Sequence, residues 1–224
     1  MNDAEITARG HAILRRAEDA ALAATALKDM DAWVRSGAPP AAADLRAQGL
    51  SGDGSAETLR GARQAFVRQW GFSLPCREAV TALRGFGPVL EVGAGAGLWT
   101  AVMRAAGHDM IATDLATGLS PYGFSISHHA EVEQLGAAEA VRKYPHRDLF
   151  CSWPSQNEPW AADAVGELRP GRKLALILDD RGAITGDETL HRVLAERCRV
   201  LEVIEIPRFP GLHDRMRLFE RRAD

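Results

Sequence analysis

Apolar residues recur at steps of three and four through the first third of the chain. Over residues 1–36 they fall at Ile13, Ala17, Ala20, Ala24, Leu27, Met30 and Val34, with Arg15, Arg16, Glu18, Asp19 and Lys28 mostly off the stripe. That spacing predicts one long helix. The stripe is alanine-rich, so the helix is expected to pack closely and bury little area per residue. Gly37, Pro39 and Pro40 end it. A second helical piece is expected over 40–48, before the flexible stretch Gly49-Leu50-Ser51-Gly52-Asp53-Gly54-Ser55. Leu59, Arg63, Phe66, Val67 and Trp70 then share one face of a helix over 56–70, and a short helix over 77–83 follows.

From residue 88 onward the period changes. Short apolar runs at 89–92, 110–113, 127–132, 148–152 and 174–178 read as strands, alternating with helical stretches at 98–106, 137–143, 159–168 and 187–197. That order predicts a parallel sheet. Thr185-Gly186-Asp187-Glu188 reads as a helix start signal. Two further strands, 200–206 and 216–220, lie close together, separated by Pro207-Arg208-Phe209-Pro210-Gly211-Leu212-His213-Asp214. The expected class is α/β, with a mostly parallel sheet. Residues 1–86 form an N-terminal helical extension, and residues 87–224 form the ligand-binding domain. No internal repeat or low-complexity tract interrupts this order.

Composition narrows the classes. With 224 residues, 46% hydrophobic and 25% charged, the chain has the make-up of an ordinary globular protein. It carries no apolar run long enough for a membrane span, and its first residues lack the apolar core of a signal peptide. Cys76, Cys151 and Cys198 are widely spaced, without zinc or disulfide patterning, so a cytoplasmic location is expected. The formal net charge of −3 argues against a nucleic-acid partner, which needs a basic face.

The candidate chemistry centres on residues 88–100, Pro-Val-Leu-Glu-Val-Gly-Ala-Gly-Ala-Gly-Leu-Trp-Thr. An apolar strand runs through an acid into three glycines at alternate positions, and then into a helix. Such a turn lets a ligand approach the main chain closely. A dinucleotide site needs G-x-G-x-x-G, its third glycine allowing the helix to pack on the strand. Counted from Gly93 that position is Leu98, and from Gly95 it is Thr100.

The pattern E-x-G-x-G-x-G resembles motif I of the class I S-adenosylmethionine-dependent methyltransferases, and the element order over residues 70–222 is similar to theirs. The resemblance implies a Rossmann-like sheet whose closing pair is antiparallel, S-adenosylmethionine as cofactor, and no metal. It places Gly93, Ala94, Gly95 and Gly97 around the methionine and ribose, with Glu91 toward the methionine ammonium. Asp114, followed by Leu115, takes the ribose hydroxyls, because a carboxylate is acceptor-only and receives two donors at once. The family's adenine-contacting acid has no counterpart; Leu135-Gly136-Ala137-Ala138 stands there, leaving main-chain contacts. Trp70-Gly71-Phe72-Ser73-Leu74-Pro75, Cys151-Ser152-Trp153-Pro154-Ser155 and Gly211-Leu212-His213-Asp214 resemble segments of one branch of that superfamily.

The implied activity is methyl transfer to nitrogen or oxygen of a small molecule, by a monomer or homodimer. Ser152, Trp153 and Pro154 stand where amino-methylating relatives carry their Asp/Asn-Pro-Pro-aromatic motif, so the resemblance implies that Ser152 touches the cofactor and, as a catalytic residue, accepts a hydrogen bond from the target amine, with Trp153 and Pro154 beside the substrate. Trp70 and Phe72 are expected beside the acceptor, on an extension that acts as a lid. His213 is the candidate proton acceptor, with Asp214 to orient it. Asp179 and Asp180 read as substrate-side or capping acids. An NAD-linked oxidoreductase and a non-catalytic methyltransferase-like scaffold are the alternatives.

Overall fold

The computed structural model describes residues 27–53, 60–116, 127–181 and 184–223. Most of the helix expected over 1–36, the start of that expected over 56–70, and residues 117–126 lie outside them. Among the described residues no helix is long and apolar enough to cross a membrane.

Among the described residues, seven strands form one sheet in the order β3-β2-β1-β4-β5-β7-β6. They are β1 (Val89–Val92), β2 (Met110–Asp114), β3 (Val132–Gln134), β4 (Asp148–Ser152), β5 (Lys173–Asp179), β6 (Cys198–Glu205) and β7 (Asp214–Arg221). The pairs from β3 through β5 are parallel, whereas β7 runs antiparallel to both β5 and β6. This is the α/β sheet expected from the sequence, mostly parallel with its last strand reversed. The chain steps outward from β1 to β2 and β3, then crosses back to β4, so the switch point lies between β1 and β4.

The helices of the described residues are α1 (Met30–Ser36), α2 (Ala42–Ala47), α3 (Arg60–Gln69), α4 (Arg77–Arg84), α5 (Leu98–Ala105), α6 (Ala137–Lys143), α7 (Trp160–Glu167) and α8 (Glu188–Arg197). The expected start signal operates through Asp187, whose carboxylate accepts the Leu190 N–H at 2.8 Å and caps α8. The third strand departs from expectation. His128 and Ala130 are not in a strand, because the 128–131 segment instead packs over the glycine turn. A Cβ on Gly97 would meet Ala130 and Val132 at 3.3 and 3.2 Å.

Strand alternation divides the core in two. Leu90, Val92, Leu149, Cys151, Leu174, Leu176 and Leu178 face α6, α7 and α8. Val89, Phe150, Ala175 and Ile177 face the other way and share one cluster with Met30, Leu45, Leu50, Phe66, Trp70, Leu74 and residues of α4 and α5. The described part of residues 1–86 therefore packs in the same core as the sheet. Its hold is also polar: Arg208 donates its N–H to the Leu50 carbonyl at 2.8 Å, and Gly211 donates to that of Gly52 at 2.9 Å. Phe66 and Phe209 meet with ring centroids 5.2 Å apart. All three cysteines are buried.

Gly37 marks where the extension presses on α5. Its φ is +64°, and a Cβ there would stand 2.1 Å from the Ala106 nitrogen. Gly171 has a similar φ of +78° with open space around its Cβ position. Gly171→Ala is expected to cost about 1 kcal/mol from the left-handed backbone alone. Gly37→Ala should cost about 2 kcal/mol more, the scale of overpacking against a rigid backbone. Urea denaturation of both variants measures the difference; equal losses would show that the extension is not seated on α5.

Candidate functional site

The carboxyl ends of β1, β2 and β4 open into a cavity of about 360 Å³, walled by 24 residues. The glycine turn forms its floor, and each glycine meets a different demand. Gly93, Gly95 and Gly97 all have positive φ. A Cβ on Gly93 would collide with the Trp160 ring at 2.6 Å, whereas a Cβ on Gly95 would meet nothing within 4 Å. Gly95 therefore leaves its main chain bare toward the cavity. Leu98, where a dinucleotide site needs its third glycine, is 3% exposed and packed in the core.

Two carboxylates brace this turn. Glu91, 2% exposed, accepts from the Thr100 hydroxyl at 2.6 Å and the Thr100 N–H at 3.0 Å, joining the strand before the turn to the helix after it. Burial pushes the Glu91 carboxyl up to about 7; the Thr100 hydrogen bonds pull it back down, and the nearby Asp114 charge adds to the rise. Asp114 accepts the Gly95 N–H at 2.8 Å on one oxygen and the Ala116 N–H at 2.8 Å on the other. A carboxylate has about four acceptor positions, so Asp114 keeps capacity for further donors on its cavity side. Beyond Asp114, Leu115, Leu135, Gly136 and Ala137 continue the wall. Leu115 is 72% exposed and Gly136 caps the start of α6.

Of the residues singled out from the sequence, the cavity wall brings together Trp70, Phe72, Glu91, Gly93, Ala94, Gly95, Asp114, Leu115, Ser152 and Trp153. Gly97 lies behind it, against Ala130 and Val132. Pro154 is buried and outside the wall; its carbonyl accepts the Gly186 N–H at 3.0 Å. His213 is not brought to the cavity either. Its N–H donates to Asp179 at 2.9 Å, and its Nδ1 lies 3.7 Å from the same carboxylate. The clasp of 207–212 by residues 50–52 carries this loop away from the β1–β4 crevice. Asp179 accordingly caps the loop, and Asp180 is bound by Arg215 and Arg217. Neither acid lines the cavity.

The segments 70–75, 151–155 and 211–214 meet around Trp153. The Phe72 and Trp153 rings stack at 5.6 Å, and the Arg63 guanidinium lies 4.6 Å from the Trp153 ring centroid. Trp153 adopts φ 58°, a left-handed conformation costing about 1–2 kcal/mol in a non-glycine residue, and these contacts hold it there. Behind it Asp214 is 2% exposed. Trp153 Nε1 and Asp214 Oδ1 are buried without a partner in hydrogen-bond geometry. Burial pushes Asp214 up to about 7, against the pull of the Trp153 indole and with Asp179 adding to the rise.

Sequence reading missed Trp160, Trp99 and Ser73. Trp160 covers Gly93 across the sheet, a contact no local spacing signals. Trp99 donates its indole N–H to Ser73 Oγ at 2.9 Å, and Ser73 Oγ lies 2.6 Å from Ser152 Oγ. Trp70 stacks on His129 at 4.5 Å, and His129 Nε2 lies 2.7 Å from the Gln69 carbonyl, tying α3 to the segment over the turn.

No protein-family model matches the chain, and no curated protein is similar to it. Solved structures share partial, distant likeness. One is 1,6-didemethyltoxoflavin-N1-methyltransferase of Burkholderia thailandensis, with bound 1,6-didemethyltoxoflavin and S-adenosylhomocysteine (16% identity, 66% of this chain and 78% of that one, TM-score 0.43). Another is the N-methyltransferase NodS of Bradyrhizobium japonicum with S-adenosyl-l-homocysteine (17%, 66% and 87%, TM-score 0.40).

The raised Glu91 and Asp214 carboxyls make stability depend on pH. Their ordinary values are 4.5 and 3.8, against about 7 in the folded chain. Between those limits the folded state binds more protons than the unfolded state, so stability falls as pH rises and levels off above about 7. Thermal unfolding of the unliganded protein should give a lower Tm at pH 8 than at pH 5.5, and Glu91→Gln and Asp214→Asn should each flatten the slope. A Tm rising across that interval, unaltered in both variants, would contradict the assignment.

Proposed function

We propose that the chain is an S-adenosylmethionine-dependent methyltransferase acting on nitrogen or oxygen of a small molecule. The observation that carries this reading is the convergence of Glu91, the bare Gly95 main chain and Asp114 on one cavity at the β1–β4 switch point. The donor set fits the cofactor. Glu91 offers a buried acceptor for an ammonium, and Asp114 offers free lone pairs for two ribose hydroxyls. Leu115, Leu135 and Ala137 offer an apolar slot for a purine, with the start of α6 supplying main-chain contacts.

When bound, the cofactor supplies an electrophilic methyl group on a sulfonium. The chain's own part is to hold an acceptor lone pair in line and to keep water away; proximity and orientation supply much of the acceleration of such a displacement. Trp70, Phe72 and Trp153 form the apolar walls for that task, and residues 1–86 act as the lid over domain 87–224. The walls favour a small molecule over a polymer as acceptor. Three buried thiols fit a cytoplasmic setting.

Calorimetric titration with S-adenosylmethionine, S-adenosylhomocysteine and NAD tests the cofactor. The first two are expected to bind, and binding of NAD alone would overturn the reading. Asp114→Ala should weaken S-adenosylhomocysteine binding by about 1.5–3 kcal/mol, the range for a hydrogen bond to a charged group. Unchanged affinity would remove Asp114 from the ribose contact.

A further inference from the structure

Trp99, Ser73 and Ser152 form a chain of hydrogen bonds that leads from the core to the cavity wall, and that chain has a direction. An indole N–H can only donate, so Ser73 Oγ accepts from Trp99 at 2.9 Å. Ser73 is 3% exposed, and its other hydrogen-bond partner is Ser152 Oγ at 2.6 Å. If Ser152 donated to Ser73, the Ser73 proton would have no acceptor among the described protein groups, at a cost of about 1–3 kcal/mol. With Ser73 donating, the Trp99 N–H and the Ser73 hydroxyl proton both have partners. The Ser152 proton is then turned away from Ser73, and Ser152 is partly exposed on the cavity wall.

The neighbourhood says what that proton meets. Glu91 pairs with Phe150 across β1 and β4, so Ser152, two residues on, points to the same face. Strand geometry puts the two Cα atoms about 8 Å apart. A buried carboxyl, an acceptor when ionised, thus shares a face with a hydroxyl donor, the complement of the ammonium and carboxylate carried on one carbon by an α-amino acid. Three of the turn's amides are engaged elsewhere: Ala94 donates to Thr113, Gly95 to Asp114 and Gly97 to Ala94. The N–H of Trp153 goes to Ile177.

We propose, resting on the methyltransferase reading, that Ser152 donates its hydroxyl proton to the carboxylate of the cofactor's amino-acid head, and that Ser73 and Trp99 are positioning residues that fix this direction. Ser152 then serves as a donor, where the sequence pointed to an acceptor for the target amine. It also ties the extension, through Ser73, to recognition of the cofactor.

The test compares two ligands by calorimetry: S-adenosylhomocysteine, and 5′-methylthioadenosine, which has the nucleoside and thioether but no amino-acid head. Ser152→Ala should weaken S-adenosylhomocysteine binding at least about tenfold, as for one charge-assisted hydrogen bond, and leave methylthioadenosine within about twofold. Ser152→Thr keeps the hydroxyl and should restore most of the loss. Ser73→Ala and Trp99→Phe should lower the ratio of the two affinities in the same sense by a smaller factor. General damage to the fold would weaken both ligands and leave that ratio unchanged. Equal weakening of both ligands by Ser152→Ala, or of neither, overturns the assignment while leaving the methyltransferase reading intact. Failure of the wild-type chain to bind S-adenosylhomocysteine overturns that reading, and this inference with it.

Discussion

The site depends on a carboxylate kept out of water. Glu91 sits where a sheet interior would ordinarily carry an aliphatic side chain, and leaving it there charged and unpartnered would cost more than a domain of this size can spare. Thr100 supplies the compensation with two short bonds to one oxygen, fixing the distance between the end of β1 and the first turn of α5. Asp114 does the same from the neighbouring strand by holding the Gly95 amide. Two acids thereby stretch the glycine turn between fixed points, and its main chain is shaped before any ligand arrives. Such preorganisation reduces the ordering cost of binding.

The extension belongs to this arrangement as much as the strands do. Trp70, Phe72 and Ser73 stand on the cavity wall because α1–α4 are packed into the same core as one face of the sheet, with Phe66 on Phe209 and the 50–52 segment laced to the loop before β7. The stacking of Phe72 on Trp153 works in both directions. It seats the extension, and it helps hold a left-handed tryptophan that an isolated strand end would not keep.

Much of the sheet was legible because hydrophobic period and strand–helix alternation are local properties. The acids at 91 and 114 were legible because a strand end followed by a glycine turn confines what can stand there. What failed depended on contacts between distant segments. His213 is in the expected loop, but the direction of that loop is set by main-chain bonds to residues 50–52. The third strand was misplaced because residues 128–131 are recruited by Gly97 and Trp70, partners that no period reveals. Trp160 over Gly93, and Ser73 beside Ser152 at a separation of 79 positions, are likewise facts of assembly.

The position of β7 bears on how the chain is made. It is the seventh strand in sequence but sits inside the sheet, separating β5 from β6. During synthesis the first five strands can associate as they emerge, while β5 keeps a bare hydrogen-bonding edge and β6 has no neighbour. Until residues 214–221 have left the ribosome, one edge of β5 and the whole of β6 stay unpaired, each a template for wrong pairing. The interval open to wrong pairing thus lasts until β7 emerges, and a chain cut short before β7 would leave β5 and β6 without the strand that joins them.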